Sequence, residues 1–147
     1  MAFAAAGVLA FAVAVSPSAQ ARPKSACPHD LKHRTPEGAI QEHVALLQAG
    51  DVEQALCGYA RDAVVILPGQ IARGRNEIRL GLEGFAALFG GAPPIVDTLT
   101  SSGPVVLLTF SVTGPELSIP NGSDTYIVEK GLIRYQTVHD VIVPTAP

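Results

Sequence analysis

The amino-acid sequence predicts an α+β fold in which helices cover one side of a curved antiparallel sheet. Residues 35–89 contain three segments with apolar residues at helical spacing, interrupted only by a short strand hairpin. Residues 95–143 then form one strand-like segment after another. Helices followed by a meander of antiparallel strands are typical of α+β architecture, because the strands pair with their sequence neighbours and the helices cover one face.

The first two helices have clear start and stop signals. Thr35 can cap the first helix, Pro36 suits its first position, and Gly50 ends it. Asp51 then caps a second, short helix over residues 52–59 that buries Tyr59. The inward side of the first helix is Ile40, His43, Val44 and Leu47. The pattern therefore predicts that His43 points into the protein.

The remaining elements follow from turn residues and β-branched runs. A buried strand over 63–67 is followed by a turn at Pro68–Gly69, a short return strand over 70–73 and a third helix over 75–89. Four strands are predicted after it, over 95–101, 105–113, 123–129 and 132–143. Asn121–Gly122 predicts a turn inside the connection 114–122.

Composition excludes some classes of partner. The net charge is −3, and no cluster of Lys and Arg marks a nucleic-acid surface. The chain has no Trp and only 5% aromatic residues, so stacking platforms for single strands are not expected either. We expect no nucleic-acid partner.

The N-terminus predicts export. Residues 1–15 are almost wholly apolar, and Ala19-Gln20-Ala21 is typical of a signal-peptidase site. The prediction is a signal peptide over 1–21, a flexible linker over 22–34, the domain over 35–143 and a tail over 144–147. The protein would then be secreted or periplasmic, with no stable membrane insertion after cleavage. An uncleaved anchor or an Ala-rich tail is the alternative.

Export bears on the two cysteines. Cys27 and Cys57 could form a disulfide in an oxidising compartment, or remain unpaired with Cys57 buried. Cys27, His29 and His33 have a spacing that a metal site could use, but a fourth ligand is not evident. We therefore expect no metal and no cofactor.

Three stretches resemble the nuclear transport factor 2-like superfamily, in its SnoaL-like and ketosteroid isomerase-like branch. They are LQAGD (47–51), YARDAVVILPGQIARGRNEI (59–78) and DTYIVEKGLIRYQT (124–137), and with the lengths between them they cover about residues 35–143. The resemblance implies a cone-shaped half-barrel with a pocket between sheet and helices. It also implies a homodimer formed through the sheet.

The resemblance places candidate site residues one at a time. The ketosteroid isomerase pattern has an Asp general base directly before a Pro, and Leu67 stands there, before Pro68. Leucine cannot transfer a proton, so that mechanism is disfavoured. His43 stands where the pattern has a hydroxyl donor, and Tyr59 matches a pocket tyrosine. Asp124 lies close to the position where the pattern has a second acid, which stays protonated and donates a hydrogen bond to an oxyanion.

Each candidate also has a plain structural interpretation. His43 could be a core histidine. Asp124 could be an exposed residue at the start of a strand. If Asp124 is instead buried beside Tyr126, we expect burial to raise the pKa of Asp124. Alternation along the last strand leaves open whether Gln136 or His139 faces the pocket, because a bulge would exchange the two faces.

Together these residues predict a domain that binds a small, mostly apolar molecule, with metal-free acid–base chemistry by His43 and Asp124. The ligand-binding candidates are Tyr59, Leu67, Tyr126 and Gln136. A non-catalytic binding or dimerisation module is the alternative, and Leu67 favours it. A sheet-mediated adaptor for a protein partner is a third possibility.

Overall fold

A computed structural model describes residues 26–146, so the predicted signal peptide lies outside the described residues. The helices are α1 (Pro36–Gln48), α2 (Val52–Cys57) and α3 (Gly74–Leu88), after a 3₁₀ turn at Leu31–His33. The strands are β1 (Tyr59–Leu67), β2 (Gln70–Arg73), β3 (Ile95–Ser102), β4 (Val105–Thr113), β5 (Leu117–Glu129), β6 (Leu132–His139) and β7 (Val143–Pro144). None of the described helices is long and apolar enough to cross a membrane.

One curved, unclosed sheet packs against the three helices, which confirms the predicted α+β class. The strand order is β2-β1-β6-β5-β4-β3, and β7 pairs with β5. All pairs are antiparallel except β1 with β6, so the sheet is mixed rather than wholly antiparallel as predicted. The exception arises because β1 and β6 are far apart in the chain, so no hairpin turn sets their relative direction.

The helix caps are the predicted ones. The Thr35 hydroxyl accepts a hydrogen bond from the Gly38 amide (3.1 Å), and the Asp51 carboxylate accepts one from the Gln54 amide (3.1 Å). α2 ends earlier than predicted, at Cys57, and Tyr59 is the first residue of β1. The helix ends there because the Gly58 carbonyl accepts a hydrogen bond from the Ile133 amide (2.8 Å), which joins this part of the backbone to the sheet.

The predicted turn at Asn121–Gly122 is wrong, because both residues lie inside β5. The register between β4 and β5 shifts between Phe110 and Val112, opposite this dipeptide. A Cβ atom on Gly122 would lie 2.5 Å from the Phe110 ring. Gly122 therefore serves the packing of an aromatic ring across a bulge. β6 is also shorter than predicted, and residues 140–142 leave the sheet.

Residues 27–34 are fastened to the domain. Cys27 forms a disulfide with Cys57, their Cα atoms 5.4 Å apart. The Arg34 guanidinium donates to the Gly131 carbonyl (2.7 Å) and pairs with Glu42 (2.8 Å). We call this segment the N-terminal strap. It crosses Gly131 so closely that a Cβ atom there would overlap the chain at Leu31.

Candidate functional site

A cavity of about 130 Å³ lies between α1, α3 and the inner face of the sheet. Its walls are mostly apolar and include Val65, Leu67, Leu82, Phe85, Leu108 and Phe110. Six lining side chains are polar: His43, Tyr59, Asp124, Tyr126, Gln136 and Asp140. An apolar cavity with a few convergent polar groups is the usual form of a small-molecule site.

The sheet register brings the polar side chains together. Tyr126 on β5 lies opposite Gln136 on β6, and Asp124 lies opposite Val138. Since side chains alternate along a strand, Asp124 and Tyr126 share the inner face, where Gln136 meets them. α1 supplies His43 from the opposite layer, because His43 lies on its buried side.

A chain of hydrogen bonds connects four of these groups. The Tyr59 hydroxyl donates to Gln136 Oε1 (2.5 Å), and Gln136 Nε2 donates to Asp124 Oδ2 (2.9 Å). The Tyr126 hydroxyl donates to the same Asp124 oxygen (2.9 Å). Tyr59 therefore fixes the orientation of the Gln136 amide, which in turn holds Asp124.

Asp124 keeps one oxygen free. The side chain is only 7% exposed, and its Oδ1 atom has no hydrogen-bond partner. Burial raises the pKa of Asp124 to about 6, although the hydrogen bonds from Tyr126 and Gln136 lower it; the charge of Asp140 raises it further. An unpartnered, buried carboxylate oxygen costs free energy that a ligand can recover.

His43 is uncharged near neutral pH. Burial lowers its pKa to about 4, opposed in part by its hydrogen bond to the Ala55 carbonyl. That carbonyl lies 3.3 Å from Nδ1 and only accepts, so Nδ1 carries the proton. Nε2 is then unprotonated and lies 3.4 Å from the Tyr59 hydroxyl oxygen, whose proton goes to Gln136. Burial raises the pKa of Tyr59 and of Tyr126, so both remain hydrogen-bond donors.

Solved structures share this architecture. A nuclear transport factor 2 (NTF2)-like protein of unknown function from Cytophaga hutchinsonii has a TM-score of 0.63 and 18% identity, over 73% of this chain and 90% of that chain. A proposed ketosteroid isomerase from Kribbella flavida has a TM-score of 0.65 and 18% identity, over 76% and 82%. A proposed polyketide cyclase from Sinorhizobium meliloti has a TM-score of 0.61 and 16% identity, over 69% and 93%. The chain has the NTF2-like fold.

No protein-family model and no curated protein matches the chain. At these identities the structural likeness shows the fold alone, and the NTF2-like fold does not determine a chemistry. The function has to be argued from the residues of the cavity.

The NTF2-like cavity brings together most of the predicted site residues. His43, Tyr59, Leu67, Asp124, Tyr126 and Gln136 all line it. Gln136 is buried and faces the cavity, whereas His139 is exposed on the other face. Leu67 contributes an apolar wall.

One lining residue was missed by the sequence analysis, and one open alternative is decided by the structure. Asp140 lines the cavity although the sequence pattern did not predict it. Residues 136, 138 and 140 alternate along one face of the last strand, and this alternation could have predicted that Asp140 faces the cavity. Cys27, which the spacing with His29 and His33 made a possible metal ligand, forms the disulfide with Cys57. Among residues 26–146 no group of three or more His, Cys, Asp or Glu side chains could hold a metal ion.

Proposed function

We propose that the cavity binds a small, mostly apolar molecule through one polar group that hydrogen-bonds to Asp124. The observation that carries the proposal is the free Oδ1 atom of Asp124, buried among apolar walls. Leaving such a group unsatisfied costs about 1–3 kcal/mol. A ligand that supplies a donor recovers this cost and also buries its own apolar surface.

The cavity volume limits the size of the ligand. An engineered apolar cavity of about 150 Å³ holds a benzene molecule. The cavity of this protein is about 130 Å³. A single six-membered ring with one small substituent therefore matches it.

Acid–base chemistry is a second candidate function, and the pKa of Asp124 favours it. A carboxyl group that titrates at about 6 exchanges its proton near neutral pH. Tyr59 and Tyr126 would hold the network around it, and His43 would accept a proton only in moderately acidic solution. Binding remains the better-supported function because Leu67 supplies no base at the position where the resembled pattern has one.

A ring-binding measurement tests the proposal. We expect phenol to bind the purified protein in isothermal titration calorimetry. Asp124→Asn would weaken binding about tenfold, because the amide presents N–H groups where the ligand needs an acceptor. Val65→Phe would abolish binding by filling the cavity. Asp97→Asn, on the exposed part of β3, is the matched control and would bind like the wild type.

Two results would overturn it. One is the absence of binding by any single-ring ligand, and the other is equal binding by the wild type and a correctly folded Val65→Phe variant. Native mass spectrometry of the freshly purified protein adds an independent test, since a retained ligand of one-ring size would identify the chemistry directly.

We also propose export and a homodimer. A disulfide between Cys27 and Cys57 is the kind of bond that persists in oxidising compartments, which supports a secreted or periplasmic location. The outer face of the sheet supports the dimer. Its exposed apolar residues include Ile66 on β1, Leu107 on β4 and Tyr135 on β6. A second copy covering the same patch would remove this surface from water.

A further inference from the structure

We propose that the ligand of the cavity is a cation: a primary amine on a single apolar ring, whose ammonium group lies between Asp124 and Asp140. The inference rests on the proposed binding function and names the chemical class of the ligand. It follows from the position of two carboxylates in one cavity and from what surrounds them.

The two carboxylates face the same space. Val138 lies opposite Asp124 in the β5–β6 pair, and Asp140 comes two residues after Val138, as the first residue beyond β6. Alternation along the strand therefore puts Asp140 on the same face as Gln136 and Val138, all of which line the cavity. Asp124 is buried and Asp140 is half-buried, so one carboxylate lies deep in the cavity and the other towards solvent.

No cation balances them. Neither Lys nor Arg lines the cavity, and His43, the one histidine that does, is uncharged near neutral pH. Asp140 has no hydrogen bond or ion pair among the described residues, and Asp124 Oδ1 has no partner. The cavity therefore holds two carboxyl groups and no cationic side chain, and a positive ligand is the complement that it lacks.

The remaining polar groups do not offer a site for an anion. The hydroxyl protons of Tyr59 and Tyr126 go to Gln136 Oε1 and Asp124 Oδ2, and a Gln136 N–H goes to Asp124 Oδ2. An ammonium group has three N–H donors in a compact volume, enough for one bond to each carboxylate. A neutral hydroxyl has one donor and no charge, so it can satisfy only one of them.

Benzylamine and benzyl alcohol test the inference, because they share the ring and differ in the charged group. In calorimetry at pH 7.5 and low salt, we expect the wild type to bind benzylamine at least tenfold more tightly than benzyl alcohol. Asp140→Asn should weaken benzylamine binding about tenfold and leave benzyl alcohol binding within twofold. Asp97→Asn makes the same change of net charge outside the cavity and should alter neither.

The pH dependence gives a second readout. Benzylamine affinity should fall as the pH drops through 6, because Asp124 then takes up a proton. The other titratable groups that face the ligand are His43, Tyr59, Tyr126 and Asp140. Benzyl alcohol affinity should not fall in step with it. Melting temperatures close to that of the wild type would show that the variants are folded.

The outcomes separate the two proposals. Binding of benzyl alcohol as tight as that of benzylamine, or benzylamine binding that Asp140→Asn leaves unchanged, overturns the cationic ligand and leaves the binding function standing. If neither compound nor phenol binds, both proposals fail.

Discussion

Asp124 and His43 are the two buried side chains whose protonation the fold changes in opposite ways. Burial raises the pKa of Asp124 to about 6, from 3.8, and lowers that of His43 to about 4, from 6.5. Between pH 4 and 6 the folded protein holds a proton on Asp124 that the unfolded chain has released. Over the same range the unfolded chain holds a proton on His43 that the folded protein lacks.

These two contributions to the free energy of unfolding have opposite signs. The Asp124 contribution makes stability fall as the pH rises from about 4 to 6, and the His43 contribution makes it rise from about 4 to 6.5. Each amounts to about 1.4 kcal/mol per pH unit, so in the wild type they largely cancel.

Asp124→Asn should therefore expose the His43 contribution. We expect this variant to lose roughly 3 kcal/mol of stability between pH 6.5 and 4, and to exceed the wild type by up to roughly 3 kcal/mol at pH 7.5. Urea unfolding at a series of pH values measures both effects. Asp97→Asn should follow the wild-type curve, and an Asp124→Asn curve that also follows it would refute the raised pKa.

At the scale of elements, the N-terminal strap and the start of β1 hold the polar network in place. The disulfide fixes Cys57 at the end of α2, two residues before Tyr59. The Arg75 guanidinium donates to the Tyr59 carbonyl (2.9 Å from Nε) and to the Cys57 carbonyl (3.2 Å). The backbone that carries the pocket tyrosine is therefore tied to both the strap and α3.

The strap can be tested on exported protein. We expect the intact mass to match a chain that begins at Arg22. We also expect this mass to be lower than that of the fully reduced chain by two hydrogen atoms. Cys27→Ala/Cys57→Ala should lower the free energy of unfolding by roughly 3–4 kcal/mol, since the bond closes a loop of 30 residues. Two titratable thiols in the denatured, unreduced protein would contradict the disulfide. A mass that still includes residues 1–21 would contradict the predicted cleavage after Ala21.

At the scale of the whole molecule, one row of residues on the outer face of the sheet is uncharged across four neighbouring strands. Ile66, Thr137, Thr125 and Leu107 follow one another across β1, β6, β5 and β4. Leu107, at the β4 end of this row, is 42% exposed. With the exposed apolar side chains of Ile66, Leu107 and Tyr135, this face is the part of the molecule best suited to self-association.

Leu107→Glu should convert the proposed dimer to a monomer, because it would place two carboxylates in the symmetric interface. Light scattering coupled to size exclusion measures the mass directly. Leu80→Glu is the matched control, since Leu80 is 68% exposed on α3, away from the sheet, and this variant should remain a dimer. A wild-type protein that is monomeric at micromolar concentration would refute the proposal.

The sequence by itself determined what depends on neighbouring residues. Thr35 and Asp51 cap helices through contacts within three residues, and Pro68–Gly69 closes a hairpin. Periodicity put His43 on the inner side of α1. These interactions are local, so their signals are present in any short window of the chain.

Only the tertiary structure decided the features that join distant residues. The parallel β1–β6 pair, the bulge that lets Phe110 pack on Gly122, and the hydrogen bond from Tyr59 to Gln136 each depend on where two remote segments meet. Asp124 and Asp140 share a cavity for the same reason. A side chain's protonation and its partners depend on burial, and burial is set by the whole fold rather than by the residues beside it in the chain.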